Sequence, residues 1–221
     1  MIGDVINAEQ RHYETARKVL LLLAPLLRRG GRLVLAVGGE SGSGKSVTAV
    51  CLRDLLTETG LQTVILHLDD YFVFPPATNH QRRLEDIGRV GMQEVRMDLL
   101  QDHVDMFRAG GKSLIKPLSN YHTNEITEET LDISETRVLI VEGTYSLALQ
   151  SADCRIFLSR NYLETKTQRL LRGREADDEF IERVLAIEHA VIAPLATRAD
   201  ILIDKSYHVM LQNSAFQHTS P

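Results

Sequence analysis

The apolar and polar positions of this chain follow two patterns in turn, one typical of buried strands and one typical of helices. Short runs rich in β-branched and aliphatic residues predict five strands, at residues 32–38, 62–68, 137–142, 154–158 and 199–203. The segments between them predict helices, at residues 7–29, 47–59, 92–108, 161–172 and 178–197. This alternation predicts an α/β fold in which a five-stranded parallel sheet carries helices on both faces.

Other segments do not fit this alternation. Residues 112–117 predict a short additional strand, whereas residues 75–91 predict a long polar loop of the kind that is often functional or mobile. From Tyr207 onward no clear period is found, so a tail is expected there. Pro25 lies inside the first predicted helix and is expected to kink or interrupt it.

The sequence Gly-Glu-Ser-Gly-Ser-Gly-Lys-Ser lies between the first predicted strand and the helix after it. It fits the phosphate-binding loop pattern, in which glycines let backbone amides converge on an anion at a helix N-terminus. Lys45 is expected to reach the β- and γ-phosphates of ATP, and Ser46 to offer its hydroxyl to Mg²⁺. The alternative is a flexible Gly/Ser turn, which seldom ends in Lys-Ser. The predicted nucleotide-binding residues are Gly39, Ser41, Gly42, Ser43, Gly44, Lys45 and Ser46.

Acidic residues follow two predicted strands, at the sheet edge where parallel sheets bind their ligands. Asp69 could accept a proton from an acceptor hydroxyl or hold Mg²⁺, and Asp70 is expected to contact the acceptor. Glu142 ends an apolar strand and is expected to orient the metal and its water shell. The alternatives are that both aspartates are solvated acids opening a turn, and that Glu142 is satisfied by the backbone.

Arginines and one tyrosine complete the set of candidates. Arg169, Arg172 and Arg174 lie at the end of a predicted helix or just after it and could offset charge on a transferring phosphoryl group, although a solvated helix face is the alternative. In the polar loop, Arg82 could bind an anionic part of the acceptor or belong to a surface pair. Tyr71 could stack on an acceptor ring or join a local core.

Composition limits the classes of partner. The chain has 221 residues and a net charge of −5, which argues against a broad basic surface for nucleic acid. Cys51 and Cys154 are the only cysteines and suit a reducing cytosol without a disulfide. The apolar run at residues 19–27 is too short for a membrane span, which needs about 20 residues. We therefore expect a cytoplasmic protein that acts on a small molecule, binds neither nucleic acid nor membrane, and could form a homo-oligomer.

These motifs resemble those of the uridine kinase–phosphoribulokinase family of P-loop small-molecule kinases. The similarity is carried by the phosphate loop and by residues 68–72, 97–100, 112–117 and 141–143. It implies a P-loop NTPase fold in which Asp69 is the catalytic base, Lys45 and Ser46 contact phosphate and Mg²⁺, and Glu142 lies near the metal. Residues 169–174 resemble the arginine-bearing lid of the family, and residues 69–72 are also similar to nicotinamide riboside kinases.

After Pro117 the chain departs from the uridine kinase pattern. Residues 118–126 keep Tyr121 but lack the Tyr-Asp, His and Arg residues that help define a pyrimidine pocket. The expected function is ATP-dependent phosphorylation of a hydroxyl on a nucleoside or sugar-like alcohol. Alternatives are nicotinamide riboside or pantothenate as acceptor, or a non-catalytic ATP-binding regulatory module. The residues expected near the acceptor are Asp70, Tyr71, Tyr121 and Arg82.

The chain is also expected to divide into three parts. Residues 32–206 are expected to form the kinase domain, with a lid at about residues 169–178. Residues 1–31 are expected to form an N-terminal helix that packs on this domain, and residues 207–221 the tail.

Overall fold

The computed structural model describes residues 2–3, 6–172 and 178–213 of the chain. Its strands are β1 (Leu33–Gly39), β2 (Thr63–His67), β3 (Ser113–Asn120), β4 (Glu125–Asp132), β5 (Val138–Glu142), β6 (Cys154–Leu158), β7 (Ile201–Ile203) and β8 (Val209–Leu211). Its α-helices are α1 (Gln10–Arg28), α2 (Lys45–Glu58), α3 (Pro76–Glu85), α4 (Met97–Arg108), α5 (Lys166–Arg172) and α6 (Glu179–Ile192).

The central sheet has the strand order β2-β5-β1-β6-β7-β8. All neighbouring strands are parallel except β8, which pairs antiparallel with β7 at one edge. The prediction of five parallel strands within an α/β fold is therefore confirmed. Because parallel strands end at the same edge, the ends of β1, β2 and β5 bring Gly39, His67 and Glu142 together.

Both faces of this sheet are covered by helices. Every residue of β1 is buried, which requires apolar layers above and below the strand. On one face, Leu23 of α1 and Leu52 of α2 join the core. On the other face, Leu100 and Phe107 of α4 do so. Burying each such side chain stabilises the fold by about 1.5–3 kcal/mol. The strand ends that form the site therefore belong to a sheet that is packed firmly between two layers of helices.

The polar segment at residues 75–91, predicted as a loop, contains helix α3 and a 3₁₀ turn. Pro76 occupies the first turn of α3, where the missing N–H of proline needs no partner. Asn79 is the one buried residue of this helix. The helix was missed because it has no apolar stripe to give it a period.

Two strands were also missed. The strand predicted at residues 112–117 extends to Asn120 and pairs with β4 in an antiparallel hairpin. Strand β4 was missed because it is rich in acids and all its residues are exposed or half-buried, so it shows no apolar face. Strand β8 lies in the segment expected to be a tail, and its three residues are too few to show a period.

Several helix boundaries differ from the predictions. The helices expected from residues 92 and 161 begin at Met97 and Lys166, after 3₁₀ or turn segments. The helix expected over residues 178–197 ends at Ile192 and continues as a 3₁₀ segment. Helix α1 is not interrupted at Pro25. Among the described residues, no helix is both long and apolar enough to cross a bilayer.

Candidate active site

The phosphate loop connects the buried strand β1 to helix α2. Three of its glycines have positive φ angles, +147° at Gly39, +72° at Gly42 and +103° at Gly44, which other residues rarely adopt. A Cβ added at Gly42 would lie 2.8 Å from Cγ of Arg169 and 3.0 Å from Cβ of Thr165. The loop therefore keeps its backbone close to the start of α5 and has no room for a larger residue at this point.

Contacts from outside the loop hold its shape. The carboxylate of Glu40, which is buried, accepts hydrogen bonds from Nδ1 of His189 on α6 (2.7 Å) and from the amide of Tyr162 (2.6 Å). Thr165 Oγ1 donates to the carbonyl oxygen of Ser41 at 2.8 Å, and Lys45 Nζ donates to that of Glu40 at 2.9 Å. The loop is thus fixed by α6 and by the segment that precedes α5.

The loop residues fit a bound phosphate. Within the described part of the chain, Ser43 Oγ is buried and has no hydrogen-bond partner. Lys45 and Ser46 open helix α2, whose N-terminal amides favour an anion. A buried hydroxyl without a partner, beside a lysine and a helix N-terminus, is the donor set that phosphate oxygens require.

Ser46, Glu142 and His67 form a hydrogen-bonded chain at the strand ends. Ser46 Oγ donates to Oε2 of Glu142 at 3.2 Å, and Nδ1 of His67 donates to Oε1 at 2.7 Å. Burial alone would raise the pKa of Glu142, but the bond and charge of His67, the charge of Lys45 and the bond from Ser46 hold it below its usual range. Glu142 is therefore ionised beside a hydroxyl, a pair of oxygen ligands suited to Mg²⁺.

His67 was not recognised from the sequence. It is the last residue of β2 and lies directly opposite Glu142 in the register of β2 with β5. The signal that could have identified it is the position of a histidine at the end of a strand predicted to lie beside the phosphate loop.

The turn after β2 separates the two predicted aspartates. Asp69 lines the same cavity as Lys45 and Ser46. Asp70 is completely buried elsewhere, where its carboxylate accepts from Lys116 Nζ at 2.7 Å and from the amide of Ser119 at 3.0 Å. It therefore ties the β3–β4 hairpin to the turn, so the structure does not bring it to the cavity.

Tyr71 is also placed away from the cavity. Its ring is completely buried, and a 2.8 Å hydrogen bond joins its hydroxyl to Nδ1 of His103 on α4. Burial raises the pKa of the Tyr71 hydroxyl. The sequence analysis considered stacking on an acceptor ring and a place in a local core, and the position of Tyr71 agrees with the second.

The predicted arginines have different positions. Arg169 is buried, lines the cavity, donates to the carbonyl oxygen of Tyr162 at 3.2 Å and lies 3.6 Å from Glu182. Arg172 is the last residue of α5, and its side chain is outside the described part of the structure, as is the whole of Arg174. Arg82 stacks on the ring of Phe74, with its guanidinium carbon 4.1 Å from the ring centre.

A cavity of about 530 Å³ opens at this edge of the sheet and has two walls. The loop wall is formed by the phosphate loop, the strand ends and α5, and consists of Ser41, Lys45, Ser46, Asp69, Glu142, Thr144 and Arg169. The α3–α6 wall consists of Phe72, Phe74, Pro76, Ala77, Asn79, His80, Arg83, Ser119, Tyr121, Ile181, Val184, Leu185 and Glu188. Of the residues predicted near the acceptor, Tyr121 lies on this second wall.

Arg83 joins the two helices of the α3–α6 wall. It donates to both carboxylate oxygens of Glu94, at 2.6 and 2.8 Å, and to Oε1 of Glu188 at 2.9 Å. Burial would lower the pKa of Arg83, but these two carboxylates raise it above its usual value. The sequence singled out Arg82, whereas the structure places its neighbour Arg83 in the cavity.

Comparison with known proteins identifies the relatives of this chain. Residues 34–209 match the Phosphoribulokinase / Uridine kinase family. A bifunctional alpha-galactosidase/sucrose kinase from Mediterraneibacter gnavus is 28% identical over an alignment of 195 residues that covers 82% of this chain and 21% of that protein. The chain thus spans about a fifth of the length of this relative. A uridine kinase from Ureaplasma urealyticum is 25% identical over an alignment of 170 residues that covers 74% of this chain and 79% of that enzyme.

A solved structure shows the same fold. D-glycerate 3-kinase from Cryptococcus neoformans superposes with a TM-score of 0.61, covering 93% of this chain and 100% of that chain. Its sequence identity of 14% is low, so this likeness concerns the fold alone. The family resemblance drawn from the sequence motifs is confirmed by the family match.

Proposed function

This chain belongs to the phosphoribulokinase/uridine kinase family of small-molecule kinases, and we propose that it transfers the γ-phosphoryl group of ATP to a hydroxyl of a nucleoside or sugar-like alcohol. The family implies the use of ATP. The choice of acceptor, the requirement for Mg²⁺ and the role of each residue are part of the proposal.

One observation carries the proposal. Lys45 and Ser46 of the phosphate loop share a single cavity with Asp69 and with a wall of mixed aromatic and polar side chains. A kinase needs the phosphate and the attacking hydroxyl in one water-poor space, because proximity and orientation supply much of the rate. The cavity offers one space for both groups, and the cradle that fits phosphate lies at its loop wall.

The residues of the loop wall have separate tasks in this mechanism. The amides of the loop and Lys45 Nζ bind and orient the phosphate chain, and the Asp69 carboxylate accepts the proton of the attacking hydroxyl. Arg169, which lines the cavity, would stabilise charge on the phosphoryl oxygens. Ser46 and Glu142 would hold Mg²⁺, which when bound supplies positive charge to the phosphate oxygens.

An assay of coupled ADP release, with the phosphorylated product identified by mass spectrometry, tests the proposal. The panel contains uridine, sucrose, fructose, nicotinamide riboside, glycerate and pantothenate. We expect product from at least one alcohol, and Lys45→Ala is expected to lower its turnover by about 10²-fold or more. ATP binding with no product from any alcohol would contradict the proposal. Turnover at the native rate by Lys45→Ala would contradict the role of this lysine.

A further inference from the structure

The α3–α6 wall limits the chemistry of the acceptor. We infer, building on the proposed function, that the acceptor carries no carboxylate or phosphate where it contacts this wall, and that Glu188 selects against such anions. The inferred substrate class is a polyhydroxylated molecule without an anionic group.

The first argument is that the guanidinium group of Arg83 is hydrogen-bonded to carboxylates of the protein itself. Its Nε and one terminal nitrogen form a two-point contact with the carboxylate of Glu94, and that terminal nitrogen also donates to Glu188. Arginine recognises carboxylates and phosphates with this same planar fork of donors. Three of its five N–H donors bond to the protein's own carboxylates, and two glutamates face the single positive charge of Arg83, so the cluster is negative overall and disfavours an anion.

The partners of Arg83 are themselves fixed. Glu94 is buried, and it also accepts hydrogen bonds from Asn79 Nδ2 at 2.9 Å and from the amide of Gly91 at 3.0 Å. An anionic ligand that took the place of Glu94 on Arg83 would leave a buried carboxylate without its positively charged partner, which is strongly unfavourable. A ligand that left Glu94 in place would instead approach Glu188.

The second argument is the charge and polarity of the other side chains of the wall. Among its described residues, Arg83 is the only arginine or lysine, and the histidine is His80, whose ring meets the edge of Phe180. Apart from Glu188, the other polar side chains of the wall are neutral, on Asn79, Ser119 and Tyr121. Aromatic and aliphatic side chains complete the wall and suit the C–H faces of a sugar or nucleoside.

These features select by attraction and by repulsion. The carboxylate of Glu188 lines the cavity and can accept hydrogen bonds from acceptor hydroxyls. The same carboxylate disfavours an anion, because like charges placed together in a partly buried site destabilise a complex strongly. Lys45 and Arg169, the described lysine and arginine that line the rest of the cavity, belong to the loop wall and would face the phosphates of ATP.

Matched pairs of acceptors test the inference in the full-length chain. The pairs are sorbitol with gluconate, glycerol with glycerate, and pantothenol with pantothenate, which differ by an alcohol against a carboxylate. The assays are run at pH 8, where histidines are ordinarily neutral. We expect kcat/KM for the alcohol to exceed that for the acid by about 100-fold in each pair that reacts. A pair in which the acid reacts faster would overturn the inference.

A substitution isolates the charge of Glu188. Glu188→Gln leaves the two-point contact between Arg83 and Glu94 intact, so the wall is expected to keep its fold. We expect the preference for alcohol over acid to fall by about tenfold or more. Glu85→Gln makes the same charge change at an exposed position of α3 and is expected to leave the preference unchanged. An unchanged preference in Glu188→Gln, with a folded and active protein, would overturn the role of this residue.

Binding of the same pairs is followed without catalysis by saturation-transfer NMR in the presence of ADP. We expect signals from the alcohols and much weaker signals from the acids. Stronger binding of the acids would overturn the inference even if no pair were phosphorylated. Absence of product from every alcohol, together with selective binding of alcohols, would count against the proposed function and leave the selectivity of the wall supported.

Discussion

The two walls of the cavity differ in the hydrogen-bond donors that they offer to an anion. The loop wall gathers donors around a space for phosphate, namely the loop amides, Lys45 and a buried arginine, Arg169. Among the described residues of the α3–α6 wall, the arginine is Arg83, which makes hydrogen bonds of 2.6–2.9 Å to two glutamates, whereas Arg169 lies 3.6 Å from one glutamate, Glu182. The difference shows that an arginine in a cavity is not by itself a receptor for anions, because its hydrogen-bond partners decide whether its charge is available.

The largest effect is expected at Asp69, the proposed base on the loop wall. Asp69→Asn removes the proposed base, so kcat should fall by about 10²–10⁴-fold while ATP affinity changes little. Turnover is measured with the best acceptor and ATP binding by calorimetry. Turnover within a few fold of the native enzyme would show that Asp69 is not the base.

The neighbouring carboxylate provides a contrast to Asp69. Asp70→Asn breaks the buried pair with Lys116, so its main expected effect is a loss of about 3–5 kcal/mol in the free energy of unfolding. Urea denaturation measures this loss. A variant with native stability but greatly reduced turnover would instead support the contact between Asp70 and the acceptor that the sequence predicted.

The shape of the loop wall is tested next. In Gly42→Ala the new Cβ would lie 2.8 Å from Arg169 and the backbone would be strained, so the dissociation constant for ATP should rise by about tenfold or more. Gly60→Ala is the matched control, since Gly60 also has a positive φ but nothing lies within 4 Å of its Cβ position. Equal effects on ATP binding in the two variants would show that backbone strain, and not the contact with Arg169, explains the result.

A smaller effect is expected at His67, which supports the loop wall through Glu142. His67→Leu removes the donor that lowers the pKa of Glu142, so this carboxylate becomes protonated at a higher pH. The acid limb of the activity profile should therefore move to higher pH. The Mg²⁺ concentration needed for half-maximal ADP binding should also rise by about tenfold or more. His67→Gln retains an N–H donor and should recover part of both effects, and native Mg²⁺ dependence in His67→Leu would exclude this role.

The smallest effect is expected at Arg82. Arg82→Ala removes the stacking on Phe74 and should cost about 0.5–1 kcal/mol of stability, with kcat unchanged. Thermal unfolding and steady-state kinetics measure the two quantities. A loss of kcat above about tenfold would show that Arg82 contacts the acceptor, as the sequence analysis expected.

The sequence could predict the loop wall because its signals are local. Residues 39–46 are contiguous, and Asp69 and Glu142 stand next to apolar strands whose ends must meet. The α3–α6 wall could not be predicted in the same way. Arg83 and Glu188 are 105 positions apart, and α3 is a polar helix without an apolar period. Asp70 was misplaced because adjacent residues of a turn point in different directions.

Helix α6 carries a mechanical consequence for the kinase. Its consecutive residues Glu188 and His189 reach Arg83 on one side and Glu40 of the phosphate loop on the other. A helix moves as a stiff rod, so a rotation that withdrew one of these side chains would also displace the other. A displacement of α6 would therefore change the α3–α6 wall and the phosphate loop at the same time.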